Sequence, residues 1–299
     1  IIKRPVLSEK SYSEIDNNPL FSGLAEVLPD ISYSAAHPEL KMTIIFPQAA
    51  RRLDDGRNYP TIVFVQGSGW TSPNIYYEIP QLSRFAQLEY IVATLTHRSA
   101  LDGHRAPAFL EDVKTAIRFL REKAEEYKVD PHRIGIWGTS SGGNTALLAG
   151  LTGGDPAYRT DEYPEQSDHV RMVVDCFGPA DAPKLLNGVL EQAKEQPLDG
   201  HDRKLFYGLL GETPEEQKER LAAINPIGMV ADKPYPPFLL VHGDKDPVVP
   251  YEQSEAMAET LARHGVHTEL IRVRGAEHEG SFWSPELLKK IADFIGRML

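Results

Sequence analysis

The chain has 299 residues, 41% of them hydrophobic and 25% charged, enough to bury a sizeable core as one large globular domain or two. A net charge of −11 without a dense Lys/Arg cluster disfavours nucleic acid and other polyanions as partners. No apolar run approaches the roughly 20 residues of a membrane span, and the single Cys176 rules out an internal disulfide. Cys176 lies in an apolar run and reads as a buried, inert thiol. The chain begins at Ile1, so residues are expected upstream, a signal peptide among the candidates; a secreted or periplasmic location is expected, with a cytoplasmic one left open.

Residues 1–30 are polar and irregular and read as an N-terminal arm. Residues 40–46 read as a strand ended by Pro47, and residues 61–65 as a β-branched strand entering Gln66-Gly67-Ser68-Gly69-Trp70. A helical spacing over 79–88 precedes a strand over 91–96. Residues 109–127 are amphipathic, with Val113, Ile117 and Leu120 on one face. Next come a short strand, the turn Gly138-Thr139-Ser140-Ser141-Gly142 and a helix of small residues. Strands follow over 170–176, 238–242 and 268–273, and helices over 254–264, with Gly265 after its end, and 285–299. Alternating strands and helices, with several strands apolar on both faces, predict an α/β fold: a mostly parallel sheet covered on both sides. Residues 153–235 carry one core strand and a cap-like helical insertion near 180–225, all within a single domain over 1–299.

Gly-x-Ser-x-Gly between strand and helix is the setting of a serine nucleophile, against the plainer reading of a glycine-rich turn with an N-capping Ser. Gly138 and Gly142 remove side chains that would clash across so sharp a turn. Ser140 then stands at a helix N-terminus, whose free N–H groups favour a developing anion. A serine hydroxyl needs an imidazole base, and His278 sits in a Gly-flanked loop after the last strand, where α/β sites form. Of the two carboxylates in Gly243-Asp244-Lys245-Asp246-Pro247, Asp246 lies further into the loop and is the chosen partner of His278; Asp244 fits a turn cap. His242, at the strand end, reads as packed. Oxyanion donors are expected from the backbone amides of Ser68, Gly69 and Ser141. Trp70, Tyr76, Tyr77, Phe282 and Trp283 are candidates for an acyl or sugar pocket, with Trp70, Tyr76 and Trp283 preferred. No metal-ligand, phosphate-loop or dinucleotide pattern is present, so no cofactor is expected.

From about Ile31 onward the sequence resembles the α/β-hydrolase superfamily. Within it the chain is similar to bacterial esterases related to hormone-sensitive lipase, and more closely to carbohydrate esterases of the feruloyl/acetyl-xylan type. The carrying stretches are Gln66 to Trp70, Arg105-Ala106-Pro107, Asp130 to Ile134, Gly138 to Gly143, Phe177 to Asp181, His242 to Pro250, and His278. One departure is clear: where that family has His-Gly-Gly-x-Trp, this chain has Gln66-Gly67-Ser68-Gly69-Trp70. The resemblance implies a serine carboxylester hydrolase that removes acetyl or feruloyl groups from xylan or its oligosaccharides. An amide hydrolase of arylformamidase or peptidase type, and a short-chain esterase for small molecules, are the alternatives. The acidic surface suits a neutral ester.

Overall fold

The structure is a computed structural model that describes residues 13–17, 23–53, 55–196, 198 and 200–299. Eight strands form one sheet: β1 (Ala25–Ser32), β2 (Lys41–Pro47), β3 (Tyr59–Val65), β4 (Ile91–Leu95), β5 (Val129–Thr139), β6 (Val173–Cys176), β7 (Phe238–Gly243) and β8 (Thr268–Val273). Their spatial order is β1-β2-β4-β3-β5-β6-β7-β8. The pairs β1/β2 and β2/β4 are antiparallel, and every later pair is parallel. The helices are α1 (Ile79–Gln87), α2 (Ala108–Glu122), α3 (Ser141–Leu151), α4 (Ala182–Glu195), α5 (Gly200–Leu210), α6 (Pro214–Ala223), α7 (Pro226–Met229), α8 (Glu252–Arg263) and α9 (Pro285–Met298).

Period-two side-chain alternation explains how one sheet feeds two cores. Ile44, Val63, Ile136, Val173 and Leu240 point to one face, where they pack with Val113 and Ile117 of α2, Leu147 of α3 and Met257 of α8. Their neighbours Ile45, Phe64, Trp137, Val174 and Val241 point to the other, against Leu82 and Phe85 of α1 and Ile291 and Phe294 of α9. Each such side chain contributes about 1.5–3 kcal/mol by leaving water. Because β3 to β8 run parallel, the loops after β3, β5, β7 and β8 open on one edge of the sheet.

The arm expected over residues 1–30 contains the start of β1; residues 1–12 and 18–22 lie outside the described ones. β1 is an edge strand, mostly half-exposed or exposed, with Pro29 inside it, so it lacks a clear apolar alternation.

Helices α4 to α7 fill the connection between β6 and β7, where the insertion was expected. The backbone of this segment is tied to the loop after β4: the Ala106 amide donates to Leu209 O at 2.9 Å. Arg220 donates to Ala106 O at 3.1 Å, and Arg105 forms an ion pair with Glu216. Thr213 and Glu216 close a capping box that starts α6.

Candidate active site

Ser140 terminates β5 and caps α3 with φ 51° and ψ −124°, a strained left-handed conformation for a residue with a side chain. The strain follows from packing: a Cβ on Gly138 would strike the Gly142 carbonyl, and one on Gly142 would strike Val65 O. Only this Gly-x-Ser-x-Gly spacing lets β5 turn into α3 directly above β3. The Ser140 amide donates to Cys176 O at 2.9 Å, locking the turn to β6.

His278 lies on the loop after β8 and Asp246 on the loop after β7. His278 Nδ1 is 2.6 Å from Asp246 Oδ2, and His278 Nε2 is 3.0 Å from Ser140 Oγ. A carboxylate only accepts, so Nδ1 carries the proton and Nε2 is free to accept from the serine hydroxyl. The edge of the Phe177 ring packs on His278 at 4.6 Å between centroids. Phe177 holds φ 47°, a rare value for a bulky residue.

The Asp246 side chain is shut off from solvent. Burial alone would push its carboxyl up. Hydrogen bonds from His242, from His278 and from the amides of Val249 and Val248 outweigh that and hold it well below the usual carboxylate range. The amides of Val248 and Val249 donate to Oδ1 at 2.8 and 2.9 Å. His242 is fully buried; its Nε2 lies 2.8 Å from Val249 O and 3.3 Å from Asp246 Oδ2, and its Nδ1 lies 2.7 Å from Ser254 Oγ. Two acceptors at Nε2 put the proton there, so His242 is a second imidazole donor to the same carboxylate. Asp244 instead accepts from Arg272 and the Gly275 amide, pinning the turn to β8.

The loop after β3 departs from expectation at Ser68. Ser68 N–H does not face the reacting centre: it donates to Ser141 Oγ at 2.9 Å. Gly67 N–H is likewise taken by Thr139 Oγ1 at 2.8 Å. Among the described residues, the amides of Gly69 and Ser141 have no protein acceptor and remain as donors. The pocket expectations also shift. Trp70 adopts φ 59° and is only 7% exposed; its Nε1 donates to Asn144 Oδ1 at 3.4 Å, so its ring buttresses α3 instead of lining a pocket. Tyr76 is exposed, and its hydroxyl donates to Asp30 at 2.8 Å, towards β1. Phe282 is fully buried in the core. Trp283 and Tyr77 do line a cavity.

Sequence reasoning missed Asn144, and it read His242 as packed without its contact to Asp246. Asn144 Nδ2 donates to Pro179 O at 2.7 Å and Ile224 O at 3.1 Å, so one side chain joins the oxyanion loop, α3 and the helical insertion. Its signal was a lone amide at the start of an otherwise small and apolar helix. Cys176 is buried as expected: its Sγ accepts from Trp137 Nε1 at 3.3 Å, and burial pushes the thiol far up.

The strand order, the strained turn at Ser140 and the hydrogen-bonded row Ser140–His278–Asp246 define an α/β-hydrolase fold. The family described as BD-FAE matches residues 48–261, a span that holds Ser140 and Asp246 and ends before His278. The chain belongs to that family. Esterase LipC of Mycobacterium tuberculosis is 33% identical over 204 residues, 68% of this chain and 48% of that protein. The chain spans about half the length of the curated relatives it matches. A bifunctional GH43-CE protein of Bacteroides eggerthii is 34% identical with a TM-score of 0.76, covering 91% of this chain and 38% of the other. A truncated carbohydrate esterase from gut microbiota is 27% identical with a TM-score of 0.75, covering 94% of this chain and 98% of that one.

Proposed function

We propose that the protein is a serine carboxylester hydrolase acting on acetyl or feruloyl esters of plant cell-wall carbohydrate. The observation that carries the reading is the row Asp246–His278–Ser140, with contacts of 2.6 and 3.0 Å. Ser140 Oγ attacks the ester carbonyl carbon while its proton moves to His278 Nε2. The carbonyl oxygen becomes an oxyanion and is met by the amides of Ser141 and Gly69. Collapse breaks the C–O bond to the alcohol, which departs with the proton from Nε2. Water then attacks the acyl-Ser140, loses a proton to Nε2, and releases the acid and the restored serine. Asp246 keeps the imidazole in the right tautomer throughout and stabilises the imidazolium.

Two relatives support the carbohydrate part of the reading: the names GH43-CE and carbohydrate esterase both speak of sugar substrates. The test is release of acetate from acetylated xylan and of ferulate from methyl ferulate, for wild type and Ser140→Ala. Release by wild type that Ser140→Ala abolishes is the expected result. No release from either, with p-nitrophenyl acetate still cleaved, would keep the ester chemistry and discard the plant-wall substrate.

A further inference from the structure

A cavity of about 300 Å³ lies beside the His278 loop, lined by Tyr77, Glu78, Gln81, Glu279, Gly280 and Trp283. Its wall breaks a rule that cores obey. Glu78 is 7% exposed, yet among the described residues neither of its carboxyl oxygens has a hydrogen-bond partner. Gln81 is half-buried, but its Nε2, one turn along α1, is also shut off from solvent and, among the described residues, unpartnered. Buried polar groups left unmade are costly, and they persist in native proteins where function needs them.

We infer that this cavity is the subsite for the sugar alcohol of the ester, with Glu78 and Gln81 binding its ring hydroxyls and Trp283 its apolar face. The inference rests on the esterase reading above. The departing alcohol takes its proton from His278 Nε2, and Glu279 and Gly280, the next two residues of the chain, line the cavity. Among the described residues no cation pairs with Glu78; burial first, then the like charge of Glu279, push its carboxyl up to about 8. At neutral pH it therefore offers one O–H donor and one carbonyl acceptor, and Gln81 adds an N–H donor. Adjacent hydroxyls on a sugar ring, each a donor and an acceptor, complement that set, and an aromatic face suits the C–H side of the ring.

The test compares kcat/KM for monoacetylated methyl β-xyloside, p-nitrophenyl acetate and acetylcholine in wild type, Glu78→Gln and Glu78→Leu. A parallel titration follows tryptophan fluorescence of Ser140→Ala with methyl β-xyloside. Trp70 and Trp137 are buried, so Trp283 is the responsive ring. The sugar-ester to aryl-ester ratio is expected to fall about tenfold or more in Glu78→Leu and to stay within about threefold in Glu78→Gln, which keeps a donor and an acceptor. Xyloside is expected to change the fluorescence of Ser140→Ala, and adding Glu78→Leu to abolish the change. An unchanged ratio in Glu78→Leu, or no fluorescence response in Ser140→Ala, overturns the inference. A wild-type preference for acetylcholine that Glu78→Gln removes also overturns it, in favour of a cation pocket. If no ester is cleaved by the wild type, the esterase reading fails on its own, and the titration still decides whether the cavity binds sugar. Glu78→Leu removes an unpartnered polar group and is expected to fold at least as stably as wild type.

Discussion

Replacing Asp246 by Asn probes the logic of the site atom by atom. Oδ1 accepts the amides of Val248 and Val249 at 2.8 and 2.9 Å, so only the carboxamide oxygen of the introduced side chain can occupy that position. The NH2 group is then forced into the place of Oδ2, facing His278 Nδ1 at 2.6 Å and His242 Nε2 at 3.3 Å. Two donors cannot meet, so His278 must move its proton to Nε2. That nitrogen then can no longer take the proton of Ser140. The expected loss in kcat is about 10³–10⁴-fold, or roughly 4–5 kcal/mol of transition-state stabilisation. His242 cannot make the same change without losing its donation to Val249 O, so a lower melting temperature is expected as well. The assay is p-nitrophenyl acetate hydrolysis beside a thermal melt of the same preparation. A folded Asp246→Asn variant that keeps more than about a tenth of wild-type kcat would refute the tautomer argument.

Three further outcomes follow from particular contacts. Ser141→Ala removes the acceptor of the Ser68 amide and leaves that N–H unsatisfied, at about 1–3 kcal/mol; a urea melt showing no loss of stability would contradict the bond. Asn144→Ala strands the carbonyls of Pro179 and Ile224 and the Trp70 indole N–H, at about 1–3 kcal/mol for each unsatisfied group; urea denaturation showing a loss under about 1 kcal/mol would contradict the bridging role. Asp175 is fully buried under α3, and burial pushes its carboxyl from 3.8 up to about 7. The folded state then binds a proton that the unfolded state has already released, so stability falls as pH rises from about 4 to about 7 and is flat above that window. Asp175→Asn is expected to raise the melting temperature at pH 8 and to give little change at pH 4, and equal effects at both values would show that proton linkage is not the cause.

Ser140, His278 and Asp246, the residues proposed to react, were legible as candidates because each sits on a loop directly after a β-branched or apolar strand. In a parallel sheet those loops share one edge, and the alternation of strands with helices was clear from β3 to β8. Residues that act through a partner were harder. The Ser68 amide looked available because nothing in the sequence says that the Ser141 hydroxyl crosses to meet it. The indole of Trp70 looked like a pocket wall because its left-handed backbone, which turns the ring inward, is unusual for a residue other than glycine. His242 was read as packed, and it is, but its bond to Asp246 depends on where the loop after β7 folds back. Glu78 drew no notice, since a glutamate near a helix start ordinarily reads as a solvated side chain. β1 was absorbed into an arm because an edge strand needs no apolar face of its own.

We propose that Ser140, and no other side chain, is made nucleophilic by His278 and Asp246. The most direct measurement treats the protein with a fluorophosphonate and maps the adduct by peptide mass spectrometry. One adduct is expected, on the peptide carrying Ser140, absent in Ser140→Ala and formed far more slowly in Asp246→Asn. Labelling of another residue, or equal labelling of Ser140→Ala, would contradict it.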